Sequence, residues 1–466
     1  MMQKTYIIFT CFLFVPCIVQ AQTLREALTL AYRNNPSFLG EQANLRAQSE
    51  NSAQARSGWR PAVSVTMDAN YQKGPDSSNF RGGSYSTNYA QGYVTARQTL
   101  YSFGHVANQV RASDARSRAA GHGVRLTEAQ IFTSVTTAYM DVLRDRYILD
   151  VRKADLAMLQ KQVSLISTRY QLGGAAAEQV TRTDVEQAQT RQHSASVACA
   201  QARTNLAASE ARFQALTGVY AGELTMPESL PGLPQNLRQA EHETLARSPE
   251  LEQMREMKIA AAADIDTARS QWGPQVVVQG QYGTIGPASS FKGHAYKQQV
   301  NGVVSLVQPI YNGDLYNSQI RQARDKNEQA SQNVELARRT ALQTINTQWY
   351  AVENGREAVR AALKEVQSGE LTLRGYQLEY NYGKRSTTDV LYADQNLRAA
   401  QIDLATSRHD IVVAEASLLA AMGRLQAKYL QLNTAYYDTH AVIHRAQTRG
   451  WELLQTPISM LDKVGW

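Results

Sequence analysis

Cysteine is almost missing from this chain of 466 residues, with Cys11, Cys17 and Cys199 the whole supply. The first two sit in an N-terminal apolar run read below as cleaved. Cys199 then stands alone, so neither a disulfide framework nor a cysteine-built metal site is expected. Charge is sparse too: 19% of residues, with 48 Lys+Arg against 41 Asp+Glu for a net +7, and the basic residues are scattered singly. A nucleic-acid footprint clusters them, so DNA and RNA are excluded as partners. A mean hydropathy of −0.41 excludes a polytopic helical membrane protein. There is no Gly-x-Ser-x-Gly elbow, phosphate loop or dinucleotide glycine fingerprint. His440 and His444 make the one histidine pair at i, i+4 spacing, without a Glu between them, and read as surface residues. No enzymatic activity, cofactor or metal is expected.

What is present begins with Lys4, an apolar run from Tyr6 to Val19 and the small-residue site Val19-Gln20-Ala21. This reads as a secretory signal peptide over 1–21, with the mature chain starting at Gln22. Pro16 directly before Cys17 argues against a lipid-anchored N-terminus. Beyond it the chain is an internal duplication. Asn35-Pro36-Ser37 recurs as Ser248-Pro249-Glu250, and Ala55-Arg56-Ser57-Gly58-Trp59-Arg60-Pro61 as Ala268-Arg269-Ser270-Gln271-Trp272-Gly273-Pro274, both at an offset of 213. Gln98-Thr99-Leu100-Tyr101 matches Gln308-Pro309-Ile310-Tyr311, and Tyr170-Gln171-Leu172-Gly173 matches Tyr380-Asn381-Tyr382-Gly383, both at an offset of 210. These matches divide the chain into a first repeat over 22–225, a Pro-rich linker over 226–237, a second repeat over 238–428 and a C-terminal tail over 429–466.

Proline placement separates helix from sheet, because proline removes a helical N–H and clashes with the preceding turn. None occurs between Pro75 and Pro227 or between Pro309 and Pro457. Within those spans the heptad series Val135, Val142, Leu149, Leu156, Val163, Tyr170 is mirrored by Ile345, Val352, Val359, Val366, Leu373, Tyr380. A third series runs Val390, Leu397, Leu404, Ile411, Leu418, Leu425. Sustained periods of seven imply left-handed coiled-coil packing, interrupted by charge at Asp145, Arg152 and Arg356. Uninterrupted helix from Gly104 to Tyr170 is about 100 Å long. The return helix after Gly173 is rich in alanine, which permits close approach and is also simply the best helix former.

Four segments alternate with period two instead. Val63, Val65, Met67, Ala69 and Tyr71 oppose Ser64, Thr66, Asp68 and Asn70, while Ala90, Gly92, Val94, Ala96 and Leu100 oppose Tyr89, Gln91, Tyr93, Thr95, Arg97 and Thr99. Val276, Val278, Gly280 and Tyr282 oppose Gln275, Gln279 and Gln281, and Val300, Val304, Leu306 and Ile310 oppose Asn301 and Ser305. Each matches the roughly 9–11 residues that cross an outer membrane. The stretches from Lys73 to Asn88 and from Gly286 to Lys297 read as loops. Four strands cannot close a barrel, and an open edge in lipid leaves its backbone unpaired, so the protein is expected to oligomerise; three copies give twelve strands.

The order helix, strand, strand, long helix, tip, return helix, twice over, resembles the TolC-type outer-membrane efflux/secretion family. The likeness covers Thr23 to Gln426 and is carried by Asn34-Asn35-Pro36, Ala55-Arg56-Ser57, Leu306 to Gly313, Tyr170-x-x-Gly173, Tyr380-x-x-Gly383-Lys384-Arg385-x-x-x-Asp389-Val390-Leu391 and Met422-Gly423. It implies a homotrimer in which a twelve-stranded barrel in outer-membrane lipid continues into a long helical tube through the periplasm. Each protomer gives four strands and a helical coiled-coil body. A periplasmic adaptor and an inner-membrane pump, of ABC or RND type, dock at the tube's tip. By the same resemblance the adaptor-docking tips are Leu172, Gly173 and Gly174 with Tyr382, Gly383 and Lys384. Asp389 faces the pore axis as an acidic ring; one turn on, where relatives carry a second acid, this chain has Tyr392, an aromatic constriction. Asp394 points to another face. Closing contacts are implied for Tyr380 and Arg385, with Glu178 and Gln179 as partners. Read from residues alone, Asp389 is also suited to be an N-terminal helix carboxylate, and Gly173 and Gly383 to be C-cap glycines. The tail is expected to wrap the tube near its waist. The competing reading is a periplasmic coiled-coil or adaptor protein whose alternating segments are soluble hairpins.

Overall fold

The computed structural model describes residues 22–76, 83–172, 181–288, 296–382, 384–449 and 458–462. The expected signal peptide, 1–21, lies outside them. The duplicated sequence becomes a duplicated chain path. Helices α1 (Leu24–Asn34) and α2 (Pro36–Ser57) lead into strands β1 (Ala62–Asp76) and β2 (Gly83–Tyr101), then the long helix α3 (His105–Leu172) and its return α4 (Arg182–Thr217). The second copy repeats this as α5 (Leu237–Arg247), α6 (Pro249–Ser270), β3 (Gln275–Gly286), β4 (Lys297–Val307), α7 (Leu315–Asn381) and α8 (Thr387–Ala421), and α9 (Thr439–Gln447) follows in the tail.

Local chemistry sets the breaks. Thr23 and Glu26 form a capping box at the start of α1. The Asn35 side chain caps α2 through Ser37 N and Phe38 N while its amide donates to Leu216 O at 3.1 Å, and Pro36 fills the first helical position, where its missing N–H costs nothing. The Asn-Pro motif is thus a hinge tied to the end of α4. Gly423, at φ +68°, ends α8 with its backbone against the Arg247 carbonyl, a place no side chain fits.

Helix α3 spans 68 residues and is the spine of the protomer. Toward the sheet the helices lie in the row α2–α3–α6–α7, and toward the tips in the row α4–α3–α8–α7. The heptad positions face the partners. Val135, Val142, Leu149, Ile345, Val352, Leu397, Leu404, Leu418 and Leu425 are all buried, and the seam grows shallower toward the tip, where Tyr170 is exposed. The main core sits at the waist. There Leu28, Phe38, Phe132, Tyr139, Phe213 and Leu419 close around the middle of α3.

The sheet is a four-stranded antiparallel meander, β1-β2-β3-β4, and its register aligns the alternation of all strands. Val65, Val94, Tyr282 and Val300 form one cross-strand row, flanked by Val63, Ala96, Gly280 and Gly302; on the other face Ser64, Thr95, Gln281 and Asn301 stand in line. On that polar face Tyr93 reaches across Gly283 to donate to Gln299 Oε1 at 2.7 Å, and Gln91 donates to Asp68. A Cβ on Gly283 collides with the Tyr93 ring and the Gly92 carbonyl, so glycine is required for the ring to lie there.

Two boundaries differ from the sequence expectation. β1 and β2 pair outward to Asp76 and Gly83, through residues read as loop. The sequence there is mostly Gly, Ser, Thr, Asn and Lys with no alternating apolar residues, so the period-two signal disappears. β4 ends at Val307, so Ile310 belongs to the connection rather than to the strand; Pro309 has no N–H to give a ladder. The β3–β4 loop matches the expected Gly286 to Lys297. The tail starts at the waist, where Leu430 and Leu432 join the main core. It then rises along α2 through α9 toward the sheet, further than expected.

Candidate functional site

Two regions of the protomer are chemically incomplete on their own. The first is the sheet. Among the described residues the outer edges of β1 and β4 have no strand partner. Val63, Val65, Met67, Val300, Val304 and Leu306 are each more than 60% exposed on one face. An apolar exterior opposite a face of Ser, Thr, Asn and Gln is the polarity of a lipid-embedded wall around water. The helical body shows the same edges: α4 and α7 end the tip-side row, and Val197, Leu336, Leu371 and Leu378 are left exposed along them. Among the described residues no helix is long and apolar enough to cross a membrane.

The second region is the tips. Ser386 caps α8: its hydroxyl accepts from Asp389 N at 3.1 Å, and Asp389 Oδ2 accepts from Ser386 N and Oγ at 3.2 and 2.9 Å. The first repeat does the same with Thr181 and Asp184, whose Oδ2 accepts from Thr181 N and Oγ at 2.8 Å each. Bonds from Ser386 hold the Asp389 carboxyl below the usual carboxylate range, so it stays charged in the periplasmic pH range. Asp389 is therefore a helix-capping carboxylate in the protomer, and it is half-buried.

Tyr392, one turn on and 54% exposed, lies under the Arg191 guanidinium of α4, 5.7 Å from its ring centre. Tyr380 bonds to Thr387 on α8 and Arg169 on α3, which lowers the affinity of its hydroxyl for the proton. Arg385 pairs with Glu379 at 2.7 Å and lies over the Tyr376 ring at 4.3 Å. Tyr382 is exposed, and Lys384 N donates to Glu379 O at 2.9 Å to close the end of α7. Leu172 is the last residue of α3. Gly173, Gly174, Glu178, Gln179 and Gly383 lie outside the described residues.

The structure thus joins the repeats through Tyr380 to Arg169 and Tyr392 to Arg191. Sequence reading passed over both arginines, because a contact between repeats has no spacing signature. The Thr181-x-x-Asp184 box was legible as a helix start and was also passed over. Asp394 faces away from Asp389 as expected: it is buried, bonded at 2.6 Å to Arg398, which lies 3.6 Å from Asp155 on α3. Higher on the same α3–α8 seam, His409 sets Nε2 3.0 Å from Asp141 and Nδ1 2.8 Å from Asp410.

Comparison with known proteins agrees with this geometry. The profile of the family described as Outer membrane efflux protein matches residues 27–219 and 241–424. The chain is 30% identical over 440 residues to the outer membrane efflux protein BepC of Brucella suis, covering 94% of this chain and 93% of that one. It is 24% identical over 437 residues to the outer membrane protein TolC of Escherichia coli, covering 89% and 85%. Among solved structures, the CmeC outer membrane channel of Campylobacter jejuni superposes with a TM-score of 0.77 at 16% identity, over 91% of this chain and 89% of that one, a likeness of fold.

Proposed function

The chain belongs to the outer membrane efflux protein family, and from that premise we propose how this outer-membrane export channel is assembled and gated. Three copies close the sheet, each β4 edge pairing with the β1 edge of the next copy to give twelve strands. The exposed apolar rims of α4 and α7 meet in the same way to close the helical tube. The observation that carries this reading is the four-stranded sheet with two free edges, one apolar face and one polar face. The duct has no energy source of its own. A periplasmic adaptor docks on the two tips, at Leu172, Gly173 and Gly174 and at Tyr382, Gly383 and Lys384, and an inner-membrane ABC or RND-type pump drives proteins or small toxic molecules through.

At the tip, three Asp389 carboxylates face the axis as a cation-binding ring and the Tyr392 rings narrow it. Its permanent charge supports that role, and the capping box fixes the carboxylate at the mouth of α8. Tyr380 and Arg385, with Glu178 and Gln179, hold the tip closed. The contacts of Tyr380 with α3 support the coupling of the two repeats there.

Extraction tests the assembly: a detergent-requiring, heat-stable trimer is expected, and release by salt alone would favour a periplasmic coiled-coil protein. In single-channel recordings Asp389→Asn weakens cation block, and an unchanged cation response removes Asp389 from the pore. Arg385→Ser raises resting conductance if the arginine restrains the tip; no rise assigns it to the surface.

A further inference from the structure

The two repeats turn from sheet to long helix in the same way, but among the described residues the tail fills the first corner and not the second. In the first repeat, Phe103 and Gly104 are consecutive left-handed residues at φ +51° and +75°; in the second, Gly313 and Asp314 take φ +68° and +65°. In both, the glutamine three residues before the corner's tyrosine is tied back: Gln98 donates to Trp59 O at 2.9 Å, and Gln308 to Trp272 O at 2.6 Å. The left-handed turn aims successive N–H groups to one side, the arrangement that receives a carboxylate.

At the first corner a carboxylate is there, and it comes from the far end of the chain. Asp462 is 1% exposed. Its Oδ1 accepts from Ser102 N at 2.7 Å, Ser102 Oγ at 2.8 Å and Gly104 N at 3.3 Å, and its Oδ2 from the Trp59 indole at 3.1 Å. The Ser102 hydroxyl in turn accepts from Val106 N at 3.2 Å, so the carboxylate completes the start of α3. Ile458, one turn earlier, is buried against Trp59, Val106 and Val110. Arg449 reaches the same place from α9, its carbonyl accepting from Arg60 at 2.6 Å. At the second corner the residue matching Ser102 is Asn312, whose side-chain nitrogen and oxygen are shielded from water without a partner in the described residues. The Asp314 carboxylate there is engaged by Asn317 and Arg321, both at 2.8 Å.

We propose that residues 458–462 are a C-terminal strap, a built-in peptide ligand whose Asp462 carboxylate and Ile458 side chain lock the β2–α3 corner of the first repeat and thereby set the β1 edge for pairing with another copy. The locking is read from this protomer; the consequence for pairing rests on the trimer proposed above. β1 hangs from β2 and from Trp59, so the same four donors that hold Asp462 fix both strands to the top of α3.

The test uses the full-length chain in detergent, with Asp462→Ala, Asp462→Asn and the milder Trp59→Phe, which removes only the indole donor. Hydrogen exchange of the amides at 102–106 is expected to quicken at least tenfold in the Asp462 variants and less in Trp59→Phe, while the waist of α3 around Phe132 stays protected. The heat-resistant trimer fraction should fall in the same order. A synthetic peptide of residues 451–466 added to Asp462→Ala should restore both readouts, and the same peptide carrying Asn in place of Asp462 should not. Unchanged exchange at 102–106 overturns the strap. Quickened exchange with an undiminished trimer fraction overturns its role in assembly. A wild-type chain that is monomeric while its corner amides respond as described refutes the trimer reading instead.

Discussion

Glu128, on α3 at the waist, is 8% exposed and accepts from Ala427 N, just past the end of α8. Burial pushes its carboxyl from 4.5 up to about 7, against smaller opposing pulls from that backbone bond and from Arg125. At about 1.4 kcal/mol per pKa unit, the ionised form is roughly 3 kcal/mol less favourable in the fold than in the unfolded chain. The sign follows from proton counts. Between pH 4.5 and about 7 the folded protein keeps a proton that the unfolded chain has lost, so stability falls as pH rises through that window and levels above it. Glu128→Gln keeps an oxygen for Ala427 N and removes the charge. It is expected to match the wild type near pH 4 and to exceed it by up to about 3 kcal/mol at pH 8. Urea denaturation of the detergent-solubilised protein, followed by helical circular dichroism at pH 4.5, 6 and 8, measures the difference. A variant that is less stable at pH 8, or a gap that does not change with pH, would refute the reasoning, because either outcome means the carboxylate is welcome where it sits.

Other outcomes follow from the same geometry. For His409, burial disfavours the charged ring and so does Arg144, which with Arg212 also faces Asp141, but the contacts with Asp141 and Asp410 outweigh them and leave its affinity for the proton raised. That stabilisation is complete below about pH 6.5 and is lost as pH rises through the higher folded value. His409→Gln should therefore weaken the protein in mild acid and leave it nearly unchanged at pH 9, read by the same denaturation series. On the sheet, Val94→Arg places a charge on the lipid face and should cost about 2–4 kcal/mol of barrel stability. Thr95→Arg, one residue on and facing the polar side, should assemble normally; equal damage from both would mean that the faces are wrongly assigned.

How much of this was legible in the sequence depends on how local each feature is. The long helices were, because two proline-free spans carry sustained heptads and burial follows them at Val135, Val142, Leu149, Leu397, Leu404, Leu418 and Leu425. So were the strands and their two faces, wherever one face meets lipid and the other water. Toward the β1–β2 turn Gly, Ser, Thr and Asn take over, alternation ceases, and the strand has no signature there. The Ser386–Asp389 box was within reach of spacing rules. Arg169, Arg191, His409 and Asp462 were not, since each acts on a residue of another helix or of the other end of the chain.

The amino-acid sequence by itself determined the duplication, the alternation of rod and hairpin, and the incompleteness of a single subunit, because proline placement, heptads and period-two patterns are constraints between near neighbours. Tertiary structure alone decided which surfaces meet. That α3 packs on α8, that Tyr392 lies beneath Arg191 and that the tail returns to fill the first corner depend on side chains hundreds of residues apart arriving within 3–6 Å, and no periodicity along the chain encodes such a distance.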